Sequence, residues 1–130
     1  MRTALVLGAV LTGPAQAEPP MTAAEFSAYV GTDTLTYGYS TGIVGIAAYG
    51  PDQTLVWRYE GSDCVNGRYY QSGDEICFSF EVREISVCWH FALGSGRLHG
   101  TATNTPGNDR IFEIGRSDRP LDCPDLRPGV

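Results

Sequence analysis

Two histidines, four cysteines and a run of carboxylates are the residues of this 130-residue chain whose types and spacing could do chemistry. His90 and His99 fall on the polar face of two neighbouring alternating segments. A type II′ turn at Gly94-Ser95 would set them directly opposite, whereas a Ser95-Gly96 turn would offset them by two residues. With Glu75 on the segment to the other side, a His90–His99–Glu75 cluster would present nitrogen and oxygen ligands suited to zinc or copper. Two solvated imidazoles on an outer face explain the same pattern, and the sequence is read as holding no metal and no cofactor. Cys88-Trp89-His90 places a thiol and an imidazole on one face. A nucleophilic thiol would have to escape oxidation, so Cys88 is read as bridged. Asp63, Asp74, Glu75, Glu81 and Glu84 crowd the middle third of the chain. Paired carboxylates about 5 to 9.5 Å apart in a cleft can hydrolyse glycosides. Here they fall on turns and outer faces, where charges ordinarily sit. The glycines punctuate strands and open no helix, so no phosphate loop is present. No catalytic residue is assigned, and the chain is read as a non-enzyme.

The aromatic residues carry more information. Tyr37, Trp57, Tyr59, Phe78, Phe80 and Trp89 share the inward parity of their segments, together with Tyr39, Tyr69 and Phe91. They form either a solid core or the lining of a ligand cavity. Buried phenols and indoles need hydrogen-bond partners, and a barrel of eight strands can still enclose one small ligand.

The elements that must position these residues follow from periodicity. Thr22-Ala23-Ala24-Glu25 is a capping box, and Phe26, Tyr29 and Val30 give an apolar stripe that Gly31 ends. One short helix is predicted over 22–30. Beyond Gly31 the period changes to two. Strands are predicted at 33–39, 43–49, 54–60, 68–71, 75–82, 86–93, 97–103 and 110–114. Gly50-Pro51-Asp52, Ser72-Gly73 and Gly94-Ser95-Gly96 turn the chain between them. The stretch 61–67 is broken by glycines and could hold a turn or a bulge. Short links favour antiparallel neighbours, and closing the meander removes exposed edges. The fold class is therefore mainly β: an antiparallel meander of about eight short strands in a small up-and-down barrel or half-barrel, with a two-sheet sandwich as the alternative. The short helix covers one end. Residues 116–130, with Pro120, Pro124 and Pro128, lack any period and read as an extended tail behind a single domain over 18–115.

Composition and cysteine usage speak to compartment. A hydrophobic content of 42% against 18% charged residues excludes disorder for most of the chain. No apolar run reaches the roughly 18 residues a membrane-spanning helix needs. All nine basic residues are arginines, outnumbered by 15 carboxylates, which argues against a nucleic-acid partner. Residues 1–17 have the pattern of a secretory signal peptide: Arg2, the apolar stretch Ala4 to Leu11, a break at Gly13-Pro14, and cleavage after Ala15-Gln16-Ala17. The expected address is the periplasm or the exterior of a bacterium. Cys64, Cys77, Cys88 and Cys123 suit that address as two disulfides, since their spacings do not match a zinc motif. Cys77 and Cys88 lie on the same face of adjacent strands. If Val82-Arg83 forms the turn, they are opposite each other. That favours Cys77–Cys88 with Cys64–Cys123, which would pin the tail; a bulge near Gly67 would revive the sequential pairing.

Cys64-x-x-Gly67-x-Tyr69-Tyr70, Ile76-Cys77-Phe78, Cys88-Trp89-x-Phe91, Leu121-x-Cys123-Pro124 and the final Gly129-Val130 resemble a group of small exported four-cysteine β-proteins of alphaproteobacteria. The likeness covers roughly 21–130. Tyr69 stands where that group is expected to have Trp, and Asp125-Leu126-Arg127-Pro128 replaces a shorter link. The resemblance implies export and disulfide stapling, and it brings no activity with it. Two classes of partner remain: a small apolar or amphipathic ligand held by the aromatic interior, or a basic protein, such as a lysozyme or a protease, met by exposed loops. The Ser-Gly-x-x-Tyr loop of small-barrel lysozyme inhibitors is not reproduced, because His99 ends Ser95-Gly96-Arg97-Leu98-His99.

Overall fold

The structure is a computed structural model that describes residues 4–9, 19–124 and 126. The expected cleavage site at Ala15–Ala17 lies outside the described residues, as do Pro128 and Gly129-Val130. One helix, α1 (Ala23–Val30), precedes eight strands: β1 (Thr34–Tyr39), β2 (Val44–Tyr49), β3 (Thr54–Tyr59), β4 (Val65–Ser72), β5 (Glu75–Phe80), β6 (Val87–Gly94), β7 (Arg97–Ala102) and β8 (Arg110–Ser117). Each strand pairs antiparallel with the next, and β8 pairs with β1, so the meander closes into a barrel. Closure satisfies both edges of the sheet and leaves one continuous inward face for the apolar positions. Among the described residues no helix is long and apolar enough to cross a membrane.

Helix α1 stops one end of the barrel. Thr22 caps it: its side chain accepts from the Glu25 amide, and Glu25 reaches back to the Thr22 backbone. Gly31 closes it with a positive φ of 53° and an amide donated to Ser27. Phe26 and Val30 are fully buried. The Phe26 ring enters the barrel among Tyr49, Tyr69, Phe78 and Phe91, with ring centroids 4.7 to 5.9 Å away.

The strands differ from the sequence-based bounds in informative ways. Strand β5 ends at Phe80, because the Arg83 amide turns back to the Phe80 carbonyl; Val82 is 72% exposed. Strand β8 runs on to Ser117, past the expected start of the tail. Its register carries a bulge: Tyr37 pairs with Glu113, but Thr36 pairs with Gly115, leaving Ile114 over. The bulge reverses the parity of the residues beyond it. Arg116 therefore comes opposite inward-facing Leu35, at the end stopped by α1. There its guanidinium donates to Tyr29 O (2.6 Å) and to Asp33 Oδ2 (2.8 Å), and lies 4.9 Å from the Tyr29 ring centre. Helix α1 has no basic residue in its own last turn. Arg116 supplies the positive charge that its carbonyl end favours. Arg116→Met is expected to lower stability by about 1–2 kcal/mol in urea unfolding, a charged hydrogen bond discounted for partial exposure. A loss within error would show that the helix end is satisfied by water.

Both disulfides form as the parity argument favoured. Cys77 pairs with Cys88 across β5 and β6, on the outer face. The link between those strands is longer than a two-residue turn at Val82-Arg83, yet the register is the same. Cys64, after β3, binds Cys123 and brings the chain beyond β8 back along the barrel. Arg119 O accepts from Thr34 Oγ1, and Asp122 O accepts from Arg58 Nη1.

Candidate ligand-binding cavity

The histidines do not meet. The turn after β6 is Ser95-Gly96, both with positive φ (54° and 75°), so Gly94 pairs with Arg97 and His99 pairs with Ala92. His90 pairs with Thr101. This is the turn that offsets the imidazoles by two, and the His90–His99–Glu75 cluster is not assembled. His99 Nε2 lies 3.2 Å from Gly94 O, with its ring edge-on to Phe112. Asp74 takes its place beside His90: His90 Nε2 is 3.3 Å from Asp74 Oδ1, and the ligand atoms of Asp74, Glu75 and His90 lie within 4.8 Å of one another. Asp74 sits on the exposed turn between β4 and β5, Glu75 opens β5 and His90 lies on β6, beside sulfurs already bonded to each other. The carboxylates of the middle third likewise stay on turns and outer faces. The buried one is Glu113, 9% exposed on the inward face of β8, which accepts from the Tyr29 hydroxyl at 2.6 Å. Nothing in the local pattern of β8 distinguishes Glu113; only its partner on α1 explains it.

The aromatic set does converge. Opposite the helix the barrel is hollow, with a cavity of about 290 Å³. Tyr37, Trp57, Tyr59, Phe78, Phe80 and Trp89 all line it. Alternation puts them there: each is the inward member of its strand, and strands β1, β3, β5 and β6 supply them. Tyr39, Tyr49 and Phe91 line it too. Tyr39 and Phe91 share the parity of their neighbours. Tyr49 was concealed because β2 reads as apolar on both faces. The floor is the layer that contacts Phe26: Tyr49, Phe78 and Phe91 touch both Phe26 and the cavity. Gly45, on the inward face of β2, makes room for the Trp57 indole, which lies where a Cβ would be. Around the open end stand the loops 60–64, 81–86 and 103–109, which bring Asp63, Arg83 and Asp109 to the mouth. Loop residues obey no period, and no sequence signal marked Arg83 or Asp109.

Three of the interior phenols find partners at the helix-side end. Tyr37 and Tyr49 share a hydrogen bond of 2.8 Å, and Ser27 Oγ meets Tyr69 Oη at 2.6 Å. Burial is the main force that pushes the Tyr37, Tyr39 and Tyr49 phenols above their ordinary 10.0. Charge at Tyr49 adds to this for Tyr37, and charge at Tyr59 for Tyr39. The hydrogen bond from Tyr37 partly offsets it for Tyr49. The folded protein thus keeps these protons at a pH where an unfolded chain releases them. The stability they confer is complete below pH 10 and falls as pH rises beyond it. Alkaline titration at 295 nm should show Tyr37, Tyr39 and Tyr49, of the seven tyrosines, missing from the phenolate signal near pH 10 and restored by denaturant. Full ionisation in the folded protein would mean that water fills the lumen around them.

This arrangement offers an aromatic chamber with hydroxyls in its walls and charge at its mouth. It can hold a compact apolar body and leave a polar end outside. Compared with protein-family models, with curated proteins and with solved structures, the chain matches none.

Proposed function

We propose that this protein is a non-enzymatic, exported binding module whose barrel holds one small apolar or amphipathic molecule. The observation that carries this reading is the cavity of about 290 Å³ walled by aromatic side chains from five strands. Its volume is close to the lower limit for ligand pockets. It suits a compact ligand rather than an extended one. Export is supported by two disulfides, which persist in oxidising compartments. Leu5, Val6 and Leu7 are 84–90% exposed, outside the barrel, as a leader would be. Membership of the small exported four-cysteine group belongs to the same proposal; it rests on the cysteine frame that forms these two bridges.

Both tryptophans of the chain line the cavity, so intrinsic fluorescence reports its occupancy directly. Naphthalene should produce a saturable change in that fluorescence on the protein purified without its first 17 residues. Gly45→Val would drive the Trp57 ring toward the lumen and should abolish the change. A folded Gly45→Val protein that still responds, or a parent protein that never saturates, would refute a cavity-binding role.

A further inference from the structure

We infer that the ligand of this cavity is an organic cation, with an ammonium head held among aromatic faces at the mouth. The inference rests on the cavity reading and adds the charge of the occupant. Two independent features support it, the geometry of the walls and the charge of the rim.

The upper walls are Tyr39, Trp57, Tyr59, Phe80 and Trp89. Their ring planes are turned to one another and do not stack in parallel. Trp57 and Tyr59 meet at 88° with centroids 5.5 Å apart, Tyr39 and Trp89 at 68° and 6.5 Å, and Tyr39 and Tyr59 at 48° and 6.1 Å. Rings inclined in this way present a mixture of edges and π faces to the space between them, and Trp57 also stacks on Tyr37 at 26°. A cation is attracted by each such face, most strongly by Trp and where water is excluded. Anions are repelled by the same faces. Burial keeps the Tyr39 phenol protonated, so it adds no full charge to the walls.

The rim carries a net negative charge. The loops that surround the open end, 40–43, 60–64, 81–86 and 103–109, contain Glu60, Asp63, Glu81, Glu84 and Asp109 against Arg83, with Arg110 next to them at the first position of β8. Asp63 and Asp109 border the cavity itself. Asp109 is half-buried, and its backbone is fixed by a bond from the Ala102 amide to Asp109 O. Arg83 and Arg110 are exposed and offset two of the five carboxylates. Low-dielectric walls beneath a negative rim focus the field into the cavity and draw cations in. An amphipathic anion would be repelled by both the π faces and this rim, and a neutral ligand would pack against the walls but gain no electrostatic attraction from either.

Three probes of nearly equal shape test the charge: phenyltrimethylammonium, its neutral isostere tert-butylbenzene, and 4-tert-butylbenzoate. Each is titrated against intrinsic fluorescence at low ionic strength. Phenyltrimethylammonium is expected to bind at least about tenfold tighter than tert-butylbenzene. Added salt and Asp109→Asn should each shrink that ratio, and Arg83→Gln should enlarge it. Equal binding of the cation and the neutral probe would overturn the inference and leave the cavity reading standing. Tightest binding of the benzoate would overturn it in favour of Arg83 as an anion anchor. Silence from all three would remove the cavity reading as well. If a basic protein such as lysozyme binds and the small cation does not, the acidic rim serves a protein partner, and the inference fails.

Discussion

Phe26→Ala should lower the stability of the barrel by about 3–5 kcal/mol and its Tm by roughly 20 °C. The Phe26 side chain is fully buried and meets four aromatic rings. Deleting it removes that apolar area from the core and leaves a void that neighbours on separate strands cannot collapse to fill. The loss extends to the helix. Eight residues are too few for α1 to persist by propensity alone, so its formation depends on the burial of Phe26 and Val30. Tyr49, Phe78 and Phe91 separate Phe26 from the ligand cavity. The void would therefore enlarge the cavity from below as well as loosen the stopper. Phe26→Leu keeps most of the volume and should cost about 1–1.5 kcal/mol. Urea unfolding followed by circular dichroism measures both. A cost below about 1 kcal/mol for the alanine variant would show that the helix is a loose cover rather than part of the core.

The same residue shows what the sequence makes legible. Phe26 announces itself through the capping box before it and Gly31 after it, because caps are local chemistry. The strands announce themselves through alternation: Leu35 and Tyr37, Ile76 and Phe78, and Trp89 and Phe91 are all buried as their parity requires. Parity also yielded the Cys77–Cys88 register, since any link whose end residues sum alike preserves it. The six lining aromatics were found for the same reason. What parity cannot supply is where along the barrel axis a residue lies. Leu93 shares the parity of Phe91 and pairs with fully buried Leu98, yet is itself 45% exposed, one pair short of the turn. Nor does parity survive a bulge. Arg116 reads as the first residue of a tail, and only the extra residue at Ile114 brings it beneath the helix. The histidine offset hinged on which two of Gly94, Ser95 and Gly96 form the centre of the turn, a choice that composition does not decide. Whether the aromatic interior is solid or hollow is likewise a matter of packing volume, which is absent from a linear pattern.

The two disulfides should contribute unequally, in the order opposite to their loop lengths. A bridge constrains the unfolded chain more when it closes a longer loop. On that count alone Cys64–Cys123, with a separation of 59, would contribute about 4 kcal/mol. Cys77–Cys88, with a separation of 11, would contribute about 3 kcal/mol. The estimate holds only if the native state keeps both ends in place once the bond is gone. For Cys77 and Cys88 it does. They oppose each other on paired strands of a closed barrel, and Cys77 is 2% exposed, so alanine at both sites also forfeits packing. For Cys123 it does not. The segment beyond β8 is held by the bond from Thr34 to Arg119 O and by the longer one, 3.3 Å, from Arg58 to Asp122 O. Without its bridge that segment can leave the barrel while the barrel stays folded. The native state then recovers much of the entropy that the unfolded state gains, and the loss is limited to the docking energy of a few exposed contacts. The double variant Cys77→Ala/Cys88→Ala should therefore lose about 3 kcal/mol, and Cys64→Ala/Cys123→Ala about 1 kcal/mol. Limited proteolysis should cut the second variant near residues 118–123 while its barrel resists, and leave the first variant either intact or globally digested. A loss near 4 kcal/mol for Cys64→Ala/Cys123→Ala, with no early cut, would make the chain beyond β8 a structural part of the barrel. The open end that Cys64 borders would then owe its shape to that strap.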